Sequence, residues 1–280
     1  MILNECISNL LKLSKKEKEN KMRKEMRTNK VKEMLKEGKK VVGTFMVSDS
    51  RAVLEILANA GFDFVMIDSE HFMKNPETFE QLIIAAESAG ITPFVRIQEN
   101  PYLIDRILSA GARGVMVPMV NTKEEAQTAV EVAKYAPIGK RGACNPRAAT
   151  YGANGLQSLV DFYKTENDNI MLILQIETAQ AVDNLNEILS VKGIDSIFIG
   201  RMDLSHSMGI TGQFDHPKLI EKINEIFKAG KKAGIPVSMV TFDAGDTNKY
   251  FKEGYEICAM SGDAFLLSQA AKEMMEKVKR

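Results

Sequence analysis

The sequence predicts an α/β fold closed as a (β/α)8 TIM barrel, with a short N-terminal helix and a C-terminal helix set after the last strand. Three observations carry this. Beyond residue 40, eight short apolar runs follow one another, and the stretches between them repeat apolar residues three and four apart. The runs are near-continuous rather than alternating, as parallel strands buried on both faces require. A chain of 280 residues with no composition break after residue 41 suits a single barrel domain of this kind.

The elements can be justified in order. Val31, Met34 and Leu35 fall at i, i+3 and i+4 ahead of Gly38, which predicts a short helix delivering the chain into the first strand. Strands are predicted over 41–47, 64–68, 92–97, 114–120, 170–176, 196–200, 236–240 and 256–260. Helices are predicted near 50–60, 76–89, 101–110, 122–135, 179–191, 216–233, 244–253 and 263–279. Gly61, Gly90, Gly111, Gly193, Gly234 and Gly254 stand between a helix and the next strand, where helices commonly stop. Residues 136–169, with Pro137, Gly139, Gly142, Pro146, Gly152 and Gly155, read as a long loop carrying at most one helix. Residues 1–27 read as a charged N-terminal extension and 28–280 as the barrel domain.

Charge narrows the function classes. Lys and Arg number 37 against 37 Asp and Glu, so no general nucleic-acid or anionic-membrane surface is expected. The balance is uneven along the chain: residues 1–40 hold 13 basic against 6 acidic side chains, and residues 41–280 hold 24 against 31. Cys6, Cys144 and Cys258 are odd in number and lack metal-like spacing, which points to reduced thiols in the cytoplasm. No apolar run has the roughly 18 residues of a membrane helix, and no signal-peptide pattern opens the chain.

In such a barrel the active site lies where the strands end. The second strand runs into Asp68-Ser69-Glu70-His71, the third ends at Arg96 and Gln98, and the fifth at Gln175 and Glu177; Gly200-Arg201-Met202-Asp203 follows the sixth. Each of these residues alone has an ordinary structural explanation, but their placement on one side points to a site. Glu177 and Asp203, without a Cys or His at ligand spacing, make a hard-oxygen pair suited to Mg²⁺ or Mn²⁺. A dication there suits a 2-oxo acid, bound through its carboxylate and ketone oxygens, with Arg96 stabilising the developing enolate and His71 moving a proton. No strand ends in a lysine, which leaves a Schiff-base aldolase without a nucleophile. Ser261-Gly262-Asp263 after the last strand disfavours a phosphorylated substrate, and no GxGxxG or P-loop implies a nucleotide.

Taken together, Gly61-Phe62-Asp63-Phe64 leading into IDSEH, then FVRI, VPMV, GKRGA, RAATYG, QIET, FIGRMDLSHSMG and the His216-Pro217 pair resemble the HpcH/HpaI aldolase family. The likeness runs from about Asn29 to the C-terminus. It implies a metal-dependent class II pyruvate aldolase, of the type cleaving 2,4-dihydroxyhept-2-ene-1,7-dioate. By that resemblance His71 is the acid/base and Arg96 steadies the pyruvate enolate. Glu177 and Asp203 hold the metal (Mg²⁺ or Mn²⁺, with Co²⁺ an alternative), and Gln175 touches the substrate. The backbone N–H of Met202 meets the pyruvate carboxylate, with Gly200 allowing close approach. Partners are then a 2-oxo acid and an aldehyde, and the assembly a hexamer, a trimer of dimers exchanging the last helix.

Two positions depart from the family pattern. Ser109 stands where the family often has an aspartate that raises the basicity of the histidine. Arg201 replaces a proline or small residue, and two directions are open to it: into the pocket, favouring an acidic second substrate, or out to the rim. The expected activity is reversible retro-aldol cleavage of a 4-hydroxy-2-oxo acid to pyruvate and an aldehyde. The alternatives are a citrate-forming or acyl-CoA-type enzyme, using Lys140, Arg141 and Arg147 as a basic surface, and a non-catalytic barrel that binds a 2-oxo acid.

Overall fold

A computed structural model describes residues 28–98 and 102–279; the charged extension 1–27 lies outside the described residues. A first helix, α1 (Lys30–Lys36), leads into β1 (Val41–Met46), α2 (Arg51–Asn59), β2 (Phe64–Asp68), α3 (Pro76–Ala89), β3 (Thr92–Arg96), α4 (Tyr102–Ala110) and β4 (Gly114–Val117). The second half runs through α5 (Lys123–Ala133), a 3-10 segment (Arg147–Gly152), α6 (Leu156–Asn169), β5 (Met171–Ile176), α7 (Ala179–Asp183) and α8 (Leu185–Leu189). It finishes with β6 (Ser196–Ile199), α9 (Arg201–Ser207), α10 (Pro217–Ala233), β7 (Val237–Thr241), α11 (Ala244–Glu253), β8 (Ile257–Gly262) and α12 (Asp263–Met275). The eight strands pair in parallel in sequence order, and β8 returns to β1 to close the barrel.

Alternation along the strands divides the core in two. Phe64, Met66, Phe94, Met116, Met171, Ile173, Phe198 and Ile257 fill the barrel interior. The residues between them, among them Val65, Ile67, Val95, Val115, Leu172, Leu174 and Ile197, face the helices. Val31 of α1 belongs to the interior cluster, with Met34 and Leu35 packed against it. The side-chain amide of Asn29 donates to the carbonyl of Arg113, and Lys32 Nζ donates to the carbonyl of Ile170. Those carbonyls precede β4 and β5, so the predicted leading helix plugs the N-terminal end of the barrel and leaves the opposite mouth open.

Helix ends follow ordinary capping chemistry. Thr122 and Glu125 form a reciprocal capping box on α5. Gly90 and Gly234 close α3 and α10 at φ 81° and 70°, a backbone region costly for other residues. Three details refine the sequence reading. The helix expected over 179–191 divides into α7 and α8 at Asn184, whose amide donates to the carbonyl of Asn121. The 136–169 loop holds a 14-residue helix, α6, after a 3-10 segment in which Thr150 and Tyr151 have φ of 56° and 55°. The chain after β6 turns at once into α9. Among the described residues no helix is long and apolar enough to cross a membrane.

Candidate active site

The two-residue period that fills the barrel also builds its mouth. Phe64 and Met66 point inward, and the next residue in that phase is Asp68; Phe94 is followed in the same way by Arg96, and Met171 and Ile173 by Gln175 and Glu177. Asp68 pairs in register with Arg96 on the adjacent strand. Apolar side chains thus give way to charged ones at the C-terminal end.

Arg96 is locked on three sides. Its Nε and Nη2 donate to the two oxygens of Asp68 at 2.9 and 2.7 Å, and Nη1 lies 3.0 Å from Glu70 Oε2. Its guanidinium also sits 4.9 Å from the centre of the Phe45 ring. Burial opposes the charge, but the hydrogen bonds and charges of Asp68 and Glu70 outweigh it and hold the guanidinium above its usual value.

Glu177 is 1% exposed. Its Oε1 accepts from the backbone N–H of Met119 at 2.7 Å, and its Oε2 accepts from the Gln175 side-chain amide. Burial pushes its carboxyl up to about 7; Met119 N–H and Arg96 pull the other way, and the charges of Glu70 and Asp203 add to the rise. Burial likewise raises Glu70, against Arg96 and His71, with Asp68 and Asp203 adding to the rise. Asp203 stands half-buried in the first turn of α9, and the N–H of Met202, also in that turn, lies among those a helix cannot satisfy internally. The His71 side chain is about half exposed, its Nε2 3.8 Å from Glu70 Oε2.

This donor set fits a hard dication. The Gln175 amide oxygen is buried without a hydrogen-bond donor among the described residues. Glu177 is a buried acid whose rise comes from burial first and from the charges of Glu70 and Asp203 next, both of which a bound cation would offset. Among the described residues no three His, Cys, Asp or Glu side chains cluster closely enough to hold a metal by themselves. Two carboxylates with water and substrate oxygens would complete the shell, as Mg²⁺ commonly accepts.

The chain matches the HpcH/HpaI aldolase/citrate lyase family over residues 41–270. It belongs to that family. The 2-dehydro-3,6-dideoxy-6-sulfogluconate aldolase of Pseudomonas putida is 35% identical over 248 residues, 88% of this chain and 95% of that protein. The 5-keto-4-deoxy-D-glucarate aldolase of Escherichia coli O6:H1 is 30% identical over 253 residues, 90% and 97% of the two chains. Among solved structures, the citrate synthase SbnG superposes with a TM-score of 0.80 at 30% identity, covering 88% of this chain and 95% of that one. As an HpcH/HpaI protein with aldolase relatives over most of its length, this chain is a carbon–carbon lyase.

Asp68, Arg96, Gln175 and Glu177 stand together at the C-terminal strand ends, with Glu70 against Arg96 and His71 beside Glu70, but the HpcH/HpaI pattern is modified at its edges. The Ser109 hydroxyl is engaged with another pair: it donates to Asp105 and accepts from Arg141. The carboxylate next to His71 is Glu70. Arg201 takes neither of the directions left open, because its side chain is buried between β7 and α11. The basic residues of the long loop are paired with acids. Lys140 pairs with Glu131, Arg141 with Asp105, and Arg147 with Glu87. Sequence reasoning missed Met119, whose N–H reaches Glu177 from a residue at φ 54°. The VPMV motif marked the place, but nothing in the letters reports a left-handed backbone.

Gly200 shows how tight the site is. A Cβ there would stand 2.5 Å from Glu177 Oε2 and 3.0 Å from Gln175 Nε2. Gly200→Ala is therefore expected to push Glu177 off its position and weaken divalent-ion binding by about tenfold or more. A Mn²⁺ titration followed by electron paramagnetic resonance checks this; unchanged affinity would mean that the Glu177 side chain relaxes freely.

Proposed function

We propose that this chain cleaves a 4-hydroxy-2-oxo acid, reversibly, to pyruvate and an aldehyde. The observation that carries the reading is the buried Glu177, held by the Met119 N–H and the Gln175 amide at the same strand-end rim as the Asp68-locked Arg96. A divalent ion held by Glu177 and Asp203, Mg²⁺ or Mn²⁺ by donor hardness and Co²⁺ as a further candidate, would act as a Lewis acid toward the 2-oxo group.

The remaining work belongs to the chain. Gln175 orients the 2-oxo acid, and the Met202 N–H meets its carboxylate beside Gly200, where a side chain would obstruct it. His71, half-exposed and adjoining Glu70, takes the C4 hydroxyl proton as the C3–C4 bond breaks and the bond's electron pair passes into the pyruvate enolate. A proton delivered to C3 then gives pyruvate, and the reverse direction retraces both transfers. Arg96 faces the negative charge that gathers on the enolate oxygen; fixed by Asp68 and Glu70, it need not reorganise as that charge grows. The free thiols Cys144 and Cys258 suit a cytoplasmic enzyme.

Pyruvate release from 4-hydroxy-2-oxo acids, measured after chelation and after adding back Mg²⁺, Mn²⁺ or Co²⁺, tests the reading. Activity is expected to vanish on chelation and return with metal; full turnover in chelator would end it. The likeness to a citrate synthase favours a second reading, a citrate-forming condensation, which citrate production from oxaloacetate and an acetyl donor would reveal. The burial of Arg141 against Asp105 and the pairing of Arg147 with Glu87 count against an acyl-CoA substrate drawn to that loop.

The proposed assembly is a hexamer with exchanged last helices. In α12 only Asp263 is buried, while Phe265, Leu267, Met274 and Met275 are exposed, an apolar face suited to a neighbouring barrel. Leu267→Asp is expected to dissociate the hexamer in sedimentation or light scattering; a wild-type chain of 31.1 kDa running as a monomer removes the proposal.

A further inference from the structure

We propose that Arg201 is a positioning residue: from outside the mouth it clamps the turn that carries Met202 and Asp203. The inference rests on the metal site of the proposed function. With seven residues, α9 is too short to hold its own shape, so its first turn depends on tertiary anchors. One anchor is the strand end itself, where the N–H of Gly200 donates to the carbonyl of Ile176. Leu204, fully buried in the core, is a second, and Arg201 is a third. Its Nη2 donates to the carbonyl of Val240 in β7 at 2.8 Å and to Asp246 Oδ2 in α11 at 3.2 Å, and Nη1 reaches the Tyr250 hydroxyl at 3.3 Å.

Three aromatic rings complete the clamp. The guanidinium lies 4.6 Å from the centre of Phe242, 5.4 Å from Phe214 and 5.6 Å from Tyr250. Asp246 Oδ2 also accepts from the N–H of Phe242, so one carboxylate sets both the cation and a wall around it. The side chain is 6% exposed, which for a guanidinium demands such pairing. Arg201 directly follows Gly200, which packs on Glu177, and stands two residues before Asp203. A shift of this residue therefore moves Asp203 relative to Glu177. Arginine at this point fixes the distance between two acids that approach from different strands.

The experiment uses the full chain and Mn²⁺ itself as probe. Arg201→Met is expected to weaken Mn²⁺ binding by about tenfold or more, the scale at which outer partners tune a metal site. Amide exchange at Met202–Ser205 should accelerate in the metal-free protein. Arg201→Lys should recover part of the affinity, since an ammonium can reach Val240 and Asp246 but cannot stack flat on Phe242. Should Arg201→Met fail to fold, Phe242→Ala removes one half-exposed wall with the arginine kept, and about a threefold loss is expected. Mn²⁺ affinity within twofold of wild type in the folded variants, even with a lowered melting temperature, overturns the proposal and makes the clamp a stability device only. A wild-type protein that binds no Mn²⁺ overturns this inference and the metal reading together, whereas wild-type binding with indifferent variants overturns this inference alone.

Discussion

Glu177→Gln is expected to remove divalent-ion binding and to lower aldol cleavage by about a thousandfold, the scale set by several kcal/mol of lost charge stabilisation. The metal-free fold should not suffer. A glutamine can still accept from Met119 N–H through its amide oxygen, and it abolishes a carboxylate that burial already drives up to about 7. The sign of the pH dependence follows from that rise. In the metal-free wild type, the protonated acid favours the folded state, so its contribution is fully present below the unfolded value near 4.5. It is lost as pH climbs toward 7. The glutamine variant lacks this slope, and at pH 8 it should melt at or above the metal-free wild type. Added Mn²⁺ should raise the wild-type melting temperature and leave the variant unmoved. A variant still stabilised by Mn²⁺, or one that cleaves at wild-type rate, would place the ion elsewhere.

The barrel was legible because its signals are local and repeated. Apolar runs such as 171–176 read as buried strands, and Gly90 and Gly234 mark helix ends by a backbone that other residues pay to adopt. The site was legible where it continues the strand period: Asp68, Arg96 and Gln175 stand two residues beyond the interior Met66, Phe94 and Ile173, and Glu177 two further on. What escaped has a physical reason in each case. The one helix allowed within 136–169 had no bounds, because α6 buries only Glu166 and leaves Leu156 exposed and so presents no apolar stripe for periodicity to find. Arg201 could not be oriented because its cage is assembled from Phe214, Phe242, Asp246 and Tyr250, brought together only when β7 and α11 close against β6. Ser109 holds the motif position of an aspartate expected to serve His71, whereas in space its hydroxyl serves an ion pair between Asp105 and Arg141.

Arg96→Met is expected to lower kcat about a hundred- to a thousandfold while changing the KM for the 2-oxo acid much less. A guanidinium aimed at charge that exists only as the C3–C4 bond breaks contributes to the transition state rather than to ground-state binding. The substitution also strands Asp68, which is 2% exposed and holds two of the three pairings on the guanidinium, so stability should fall by about 3 kcal/mol. Lysine does not rescue, because a single ammonium cannot meet both oxygens of Asp68 and Glu70 Oε2 in one plane. The two effects separate in the double variant Arg96→Met/Asp68→Asn. Removing the stranded charge should restore most of the lost stability in denaturant unfolding, while turnover stays at the level of the single variant. If the double variant regained turnover together with stability, Arg96 would be a structural partner of Asp68, and the enolate would need another stabilising group.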